Sequence, residues 1–344
     1  MTDIQESAVP GSPGGAPQRV GGSSRTKWSH RLQLHRLSGL YLLAVLILLF
    51  SLWIPEVFLT PATLQGIISD QSISTILAIG VLLALAAGQY DLSAAGILGF
   101  SALMSVWLNS AAGLDPWLSI VLAILIGVAI GLFNGFLVAV IGINSFIATL
   151  GSSSGIMALA SLISGDKFVG PASQEFRSVA LATFGPIPAL LVYVIVVALI
   201  AWYLLEHTTV GRRLSATGAN IDTARLVGVS TKRYVVGGLV LSATLASIAG
   251  VLAAAKTGTV TSTFGAAYLL PAFAGCFLGT TQLKPGRFNV WGTVLALVLL
   301  GTGVKGFQLA SGQNWITYLF NAVALLTAVG LAVVFERRRT TASR

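Results

Sequence analysis

The chain has 344 residues, of which 55% are apolar and only 9% charged, and its mean hydropathy is +0.87. Soluble domains carry about 25% charged residues, so a soluble enzyme is excluded. The net charge of +9 reads as membrane topology, with no nucleic-acid partner, because the basic residues lie between long apolar runs. Cys276 is the single cysteine, which precludes an intrachain disulfide, and His30, His35 and His207 lack metal-ligand spacing, so no metal site is expected. Glycine fills 38 positions, mostly inside apolar runs, as expected where membrane helices pack closely.

In chain order, residues 1–30 are rich in Pro, Gly and Ser and are expected to form a disordered cytoplasmic tail. No apolar signal-peptide core sits near Met1, so the run beginning at Leu37 is expected to stay as a membrane segment. A bilayer core of about 30 Å takes roughly 20 apolar residues as a helix. Ten stretches qualify or nearly do: Leu37 to Ile54, Ser72 to Ala87, Leu92 to Leu108, Trp117 to Ile141, Phe146 to Ile163, Ile187 to Leu205, Tyr234 to Ala255, Ala266 to Leu278, Phe288 to Leu309 and Trp315 to Phe335. The fold class is therefore all-α and polytopic, with a transmembrane domain over 31–336, a cytoplasmic loop at 206–233 and a basic cytoplasmic tail at 337–344. The second and eighth stretches are short, and each leads through a polar, Gly-bearing connector into another apolar run. A weak internal repeat and a pair of broken or re-entrant helices both fit that pattern.

Lys and Arg mark cytoplasmic segments. With the N-terminus inside and ten crossings, sixteen of the twenty basic residues fall on the cytoplasmic side, leaving Lys167, Arg177, Lys256 and Lys305 outside or near outer helix ends. Both termini are expected in the cytoplasm. None of the eleven acids lies in the middle of an apolar run, which argues against proton or sodium coupling, with Asp91 the one exception to consider. Asp91 either ends a helix at the cytoplasmic face or sits at a break within the bilayer. The chain also has no GxxxxGK[ST] phosphate loop. Active transport would draw its energy from a partner, and no enzymatic role or bound cofactor is expected.

The segment Glu206 to Arg233 carries helix punctuation: Asn220 as an N-cap, Ile221, Ala224 and Val227 at helical spacing, Gly228 as a C-terminal glycine, and Ser230 as the next cap. A lever for a soluble domain and an ordered interfacial loop are both open on composition. Gly127, Gly131 and Gly135 recur every four residues and strip one helix face of side chains, for close packing. Asn134 beside them either bonds across helices or faces a polar path. Thr149 and Ser152 to Ser154 offer hydroxyls to a hydrated path, although one face cannot hold all three serines. Gly151 to Gly155 formally matches GxSxG, but a hydrolase elbow needs a strand, a sharp turn and a histidine, none of which fits here. Lys305, with Gln308 and Gln313, either meets a substrate or snorkels to the interface. Pro271 with Gly275 and Gly279 is expected to break or kink the eighth span.

Four segments together resemble the permease subunits of bacterial ABC importers for ribose, xylose and related monosaccharides. GQYDLS (Gly88 to Ser93) is similar to that family's GGIDLS. INSFIATLG (Ile143 to Gly151) resembles its INPFIATLG. Thr208 to Ser230 resembles its T-x-x-G-R-x-x-x-A-x-G-x-N stretch followed by AARLxGI, and Gly279 to Thr293 its GGTSLxGGRGxxxGT. The matches cover most of Ile73 to Phe335 in order. Gln89-Tyr90 in place of Gly-Ile, Ser145 in place of Pro, and Lys284-Pro285 in place of small residues are the departures.

The resemblance implies a multi-pass protein of the bacterial inner membrane that moves a monosaccharide or small polyol. Its implied partners are a second permease copy or close homologue, a cytoplasmic ABC ATPase that binds the ATP and Mg, and an extracytoplasmic sugar-binding protein. Carried over by residue, Gly211, Arg212, Gly218, Asn220, Ala224, Arg225 and Gly228 belong to the ATPase-facing loop. Asp91, Ser93, Asn134, Asn144, Phe146, Thr149 and Ser153 are candidates for the translocation path. An ion-coupled carrier or channel using Asp91 is the alternative from another class.

Overall fold

The computed structural model describes residues 38–342 apart from 186, 285 and 314, so the expected tail over 1–30 lies outside the described residues. The chain is a helical bundle. Its helices are α1 (Ser38–Trp53), α2 (Pro55–Phe58), α3 (Pro61–Ala86), α4 (Ala94–Ser110), α5 (Pro116–Phe136), α6 (Ser145–Ser164), α7 (Gln174–Leu181), α8 (Ala189–His207), α9 (Thr209–Ala219), α10 (Ile221–Leu226), α11 (Thr231–Thr257), α12 (Ala266–Gly279), α13 (Val290–Ser311) and α14 (Trp315–Ala342). A five-residue π-helical turn, Leu137–Ile141, extends α5. Two short strands, β1 (Thr183–Phe184) and β2 (Ile187–Pro188), form an antiparallel hairpin before α8. Among the described residues, six helices are long and apolar enough to cross a membrane, and four shorter apolar ones accompany them.

Local chemistry fixes several helix starts. Asp115 accepts from the amides of Trp117 and Leu118 at 2.9 and 3.2 Å, with Pro116 at the first helical position of α5. Thr60 and Pro61 do the same for α3, with the Thr63 amide 3.2 Å from the Thr60 hydroxyl. That start lies eleven residues ahead of the expected Ser72, because polar side chains in the first half of α3 find partners. Asp70 pairs with Lys256 at the end of α11, and Gln71 fills the space above Gly301 on α13. The eighth stretch does stay short: α12 has 14 residues, about 21 Å of helix. It runs through Pro271 as one element, so the expected break is absent. At the other end of the chain, α14 continues to Ala342 through residues read as tail.

The core forms around α3 and α11. Every residue from Ser72 to Ala87 is buried, the pattern of a helix covered on all sides. Helix α11 packs on α3, α4 and α5 together. The glycine stripe of α5 makes its closest approach there: a β-carbon at Gly131 would sit 2.5 Å from Cβ of Ala243, and one at Gly135 would sit 2.9 Å from Val236 Cγ1. Such spacing lets the two backbones meet with no side chain between them. Exposed leucines, isoleucines and valines cover the outer faces of α1, α5, α6 and α8.

Candidate functional site

The break between α3 and α4 is held by a buried polar network. Ser145, Thr149 and Ser152 share one face of α6, at i, i+4 and i+7. Two of them grip the connector. Ser145 Oγ accepts from the Tyr90 amide at 3.1 Å. Thr149 Oγ1 accepts from the Leu92 amide at 3.0 Å and donates to carbonyls of Tyr90 and Ser145. Asp91, only 1% exposed, then takes both the amide and the hydroxyl of Ser93 on one oxygen, at 3.0 and 2.5 Å. From Ser93 the chain of bonds runs to Asn134 of α5 (2.8 Å) and on to Ser152 of α6 (2.5 Å). The Ser242 hydroxyl of α11 lies beside Asp91, yet neither it nor the second carboxylate oxygen completes a hydrogen bond. A buried carboxylate in such a place costs stability unless its partners are well aimed. Three helices and a connector are thereby locked to one acid.

At the far end of α8 the chain turns into two short helices. Thr208 caps α9 by accepting from the Gly211 amide at 3.1 Å. Gly211 presses on the last turn of α8, where a β-carbon would lie 2.3 Å from the Leu204 and Leu205 carbonyl oxygens. Asn220 caps α10 through the amides of Asp222 and Thr223, at 3.1 and 2.9 Å, and Gly228 closes the turn with φ of 79°. Ala224 is buried, and Arg225 Nε donates to Thr231 Oγ1 at 3.0 Å, tying α10 to α11. Leu226 and Val227 stand out from the tip, 87% and 75% exposed.

Glu206 joins this end to the connector ahead of α13. It accepts from Trp202 Nε1 at 3.1 Å and from Lys284 Nζ at 2.5 Å. Trp202 also packs near Trp291, with ring centroids 6.3 Å apart.

Residues 63–330 match the family model described as the permease component of branched-chain amino acid transport systems. The chain belongs to that permease family. Among curated proteins, the permease is 30% identical over 306 residues to the L-arabinose transport system permease protein AraH of Escherichia coli K12, covering 89% of this chain and 91% of the relative. It is 30% identical to the ribose import permease protein RbsC of the same organism (85% and 91%), and 28% identical over 292 residues to its D-allose transport system permease protein AlsC (85% and 89%).

Of the residues expected along a path, the permease buries Asp91, Ser93, Asn134 and Thr149 in the network above. Asn134 therefore bonds across helices. Asn144 is exposed and caps α6 through the Phe146 amide at 2.9 Å, and Phe146 is half exposed. Ser153 packs over Gly96 of α4, and Ser154 is exposed. Lys305 reaches toward Gly66 of α3. In the loop, Gly211, Gly218 and Ala224 face inward, whereas Arg212, Asn220, Arg225 and Gly228 are exposed.

Sequence reasoning missed α9 as a helix, Ser242 as a neighbour of Asp91, and the Glu206–Lys284 pair. Val227, expected within the helix at helical spacing with Ile221 and Ala224, instead takes the C-cap position, because α10 ends at Leu226. Ser230 occupies the next N-cap position without a side-chain bond. The signal for α9 was present: Thr208 three residues ahead of Gly211, with Val210, Leu214 and Thr217 at helical spacing.

Proposed function

We propose that the permease is the membrane subunit of an ATP-driven importer for a monosaccharide or similar polyol. Similarity to arabinose, ribose and allose permeases along about nine tenths of their length carries this reading. The chain crosses the membrane ten times with both termini in the cytoplasm, as the distribution of its basic residues supports. On the cytoplasmic face α9 and α10 receive the ATPase, with Arg212, Arg225 and the bare pair Leu226 and Val227 as its contact. An exposed apolar pair flanked by arginines is the composition of an interface core and rim. The second copy packs along α6, where Gly151 and Gly155 have nothing against them and Ile147, Leu150 and Ser154 are exposed. A binding protein delivers the solute from the opposite face.

The coupling route follows from packing. Closure of the ATPase dimer pushes α9, which rests on the end of α3, and the connector carrying Asp91 passes the movement through Ser93 and Asn134 to α6. An ion-coupled carrier using Asp91 is the weaker reading, since that acid is engaged in holding helices together. Proteoliposomes holding the permease with its ATPase and binding protein test the assignment. Sugar uptake that requires hydrolysable ATP is expected, and equal uptake without the ATPase would refute it.

A further inference from the structure

A cavity of about 340 Å³ opens between the first turns of α12, the last turns of α13 and the start of α14. It falls in the lower part of the range for small-molecule sites. Its polar groups come from α13 and α14. Gln308 Nε2 donates to Thr317 Oγ1 at 2.6 Å, which leaves the Gln308 carbonyl and the Thr317 hydrogen unspent. Asn321, two turns into an apolar helix, is 5% exposed and makes no hydrogen bond with any described residue. Its side chain lines the cavity. Opposite these groups, Ala267 and Pro271 line the α12 wall, and Pro271 has no N–H to give to the Ala267 carbonyl four residues earlier.

The chemistry of the lining selects its ligand. Among the described residues no charged side chain lines the cavity, so an amino acid would leave its ammonium and carboxylate unmatched. The amides of Gln308 and Asn321 and the Thr317 hydroxyl offer both donors and acceptors, and neutral polyhydroxyl solutes present the same mixture at each carbon. Position fits as well. Lys284 holds the start of α13 at the end of the bundle where α9 begins, and Gln308 lies 18 residues along from Val290, about 27 Å away.

We propose that this cavity is a binding site for the transported monosaccharide on the face opposite the ATPase, contacted by Asn321, Gln308 and Thr317. The proposal rests on the importer reading above. The test uses the complete importer in proteoliposomes, assayed with D-ribose, L-arabinose and D-allose. Asn321→Leu is expected to lower the maximal uptake rate roughly tenfold, the loss of one well-placed hydrogen bond, while Asn321→Ser keeps most of it. The half-saturating sugar concentration, set by the binding protein, should not move. Cys276 is fully buried, whereas position 321 lines the cavity, so the thiol of Asn321→Cys can be labelled selectively, and the sugar that is taken up, at high concentration, should slow that labelling where sucrose does not. Wild-type uptake at full rate by an assembled Asn321→Leu importer, or labelling indifferent to the sugar, overturns the site alone. Absence of ATP-dependent uptake of any of the three sugars by the wild-type assembly overturns the importer reading beneath it.

Discussion

Gly218 of α9 and Gly88 at the end of α3 touch backbone to backbone: a β-carbon on Gly88 would lie 3.0 Å from Gly218 Cα, and one on Gly218 would lie 2.3 Å from the Ala86 carbonyl oxygen. Gly88 also holds φ at 76°, a conformation that side chains resist. Three residues beyond it lies Asp91. The helix that meets the ATPase in the proposed assembly thus bears directly on the connector that anchors α4, α5 and α6.

Gly218→Ala is expected to push α9 off α3 at a cost of about 1–3 kcal/mol. Because α9 sits at the surface of the bundle, the chain should still fold. The expected result is ATP hydrolysis with little sugar uptake, measured as the ratio of the two rates in proteoliposomes. A wild-type ratio would show that this contact transmits nothing.

Asp91 separates two chemistries. Asn at this position keeps an oxygen for Ser93 and gains an amide that can donate to the Ser242 hydroxyl, so Asp91→Asn should transport within about twofold of wild type. Asp91→Ala strands the Ser93 hydroxyl and loosens Asn134, at about 1–3 kcal/mol, and should depress both thermal stability and uptake. Uptake rates and melting in detergent check this pair. Loss of transport in Asp91→Asn with unchanged melting would instead point to a protonic or ionic role.

The α5–α11 seam has no room for growth. Gly131→Ala should destabilise the permease by about 1–3 kcal/mol, and adding Ala243→Gly should recover much of it, since a β-carbon on Gly131 would lie 2.5 Å from that of Ala243. Additive losses in the double variant would place the strain elsewhere.

Lys284 and Glu206 form an ion pair whose lysine side chain is 51% exposed and whose glutamate side chain is 21% exposed. Lys284→Ala is expected to cost no more than about 1 kcal/mol in stability. Its larger effect should fall on coupling, because the pair links the α8–α9 corner to the start of α13; Lys284→Glu with Glu206→Lys should restore uptake that either single change impairs.

Most of the bundle was legible because apolar runs of bilayer length can do little else in this composition. The glycine stripe was legible for a similar reason: only close packing uses three glycines at one helical interval. The true length of α3 was not, because Asp70 and Gln71 look like loop residues until Lys256 and Gly301, both far along the chain, supply their partners. Asp91 was visible as the one acid near an apolar core, but its burial depends on Ser93, Asn134 and α6 converging from separate helices. Asn321 left no signal beyond its place in an apolar run, since what sets it apart is its place on a cavity wall in three dimensions.

Uptake of radiolabelled D-ribose, L-arabinose and D-allose into proteoliposomes, with the binding protein outside and the ATPase and ATP inside, tests the central claim most directly. Accumulation of at least one sugar above its external concentration, abolished by a non-hydrolysable ATP analogue, is the expected result. Accumulation that persists without the ATPase and collapses with an ionophore would contradict it.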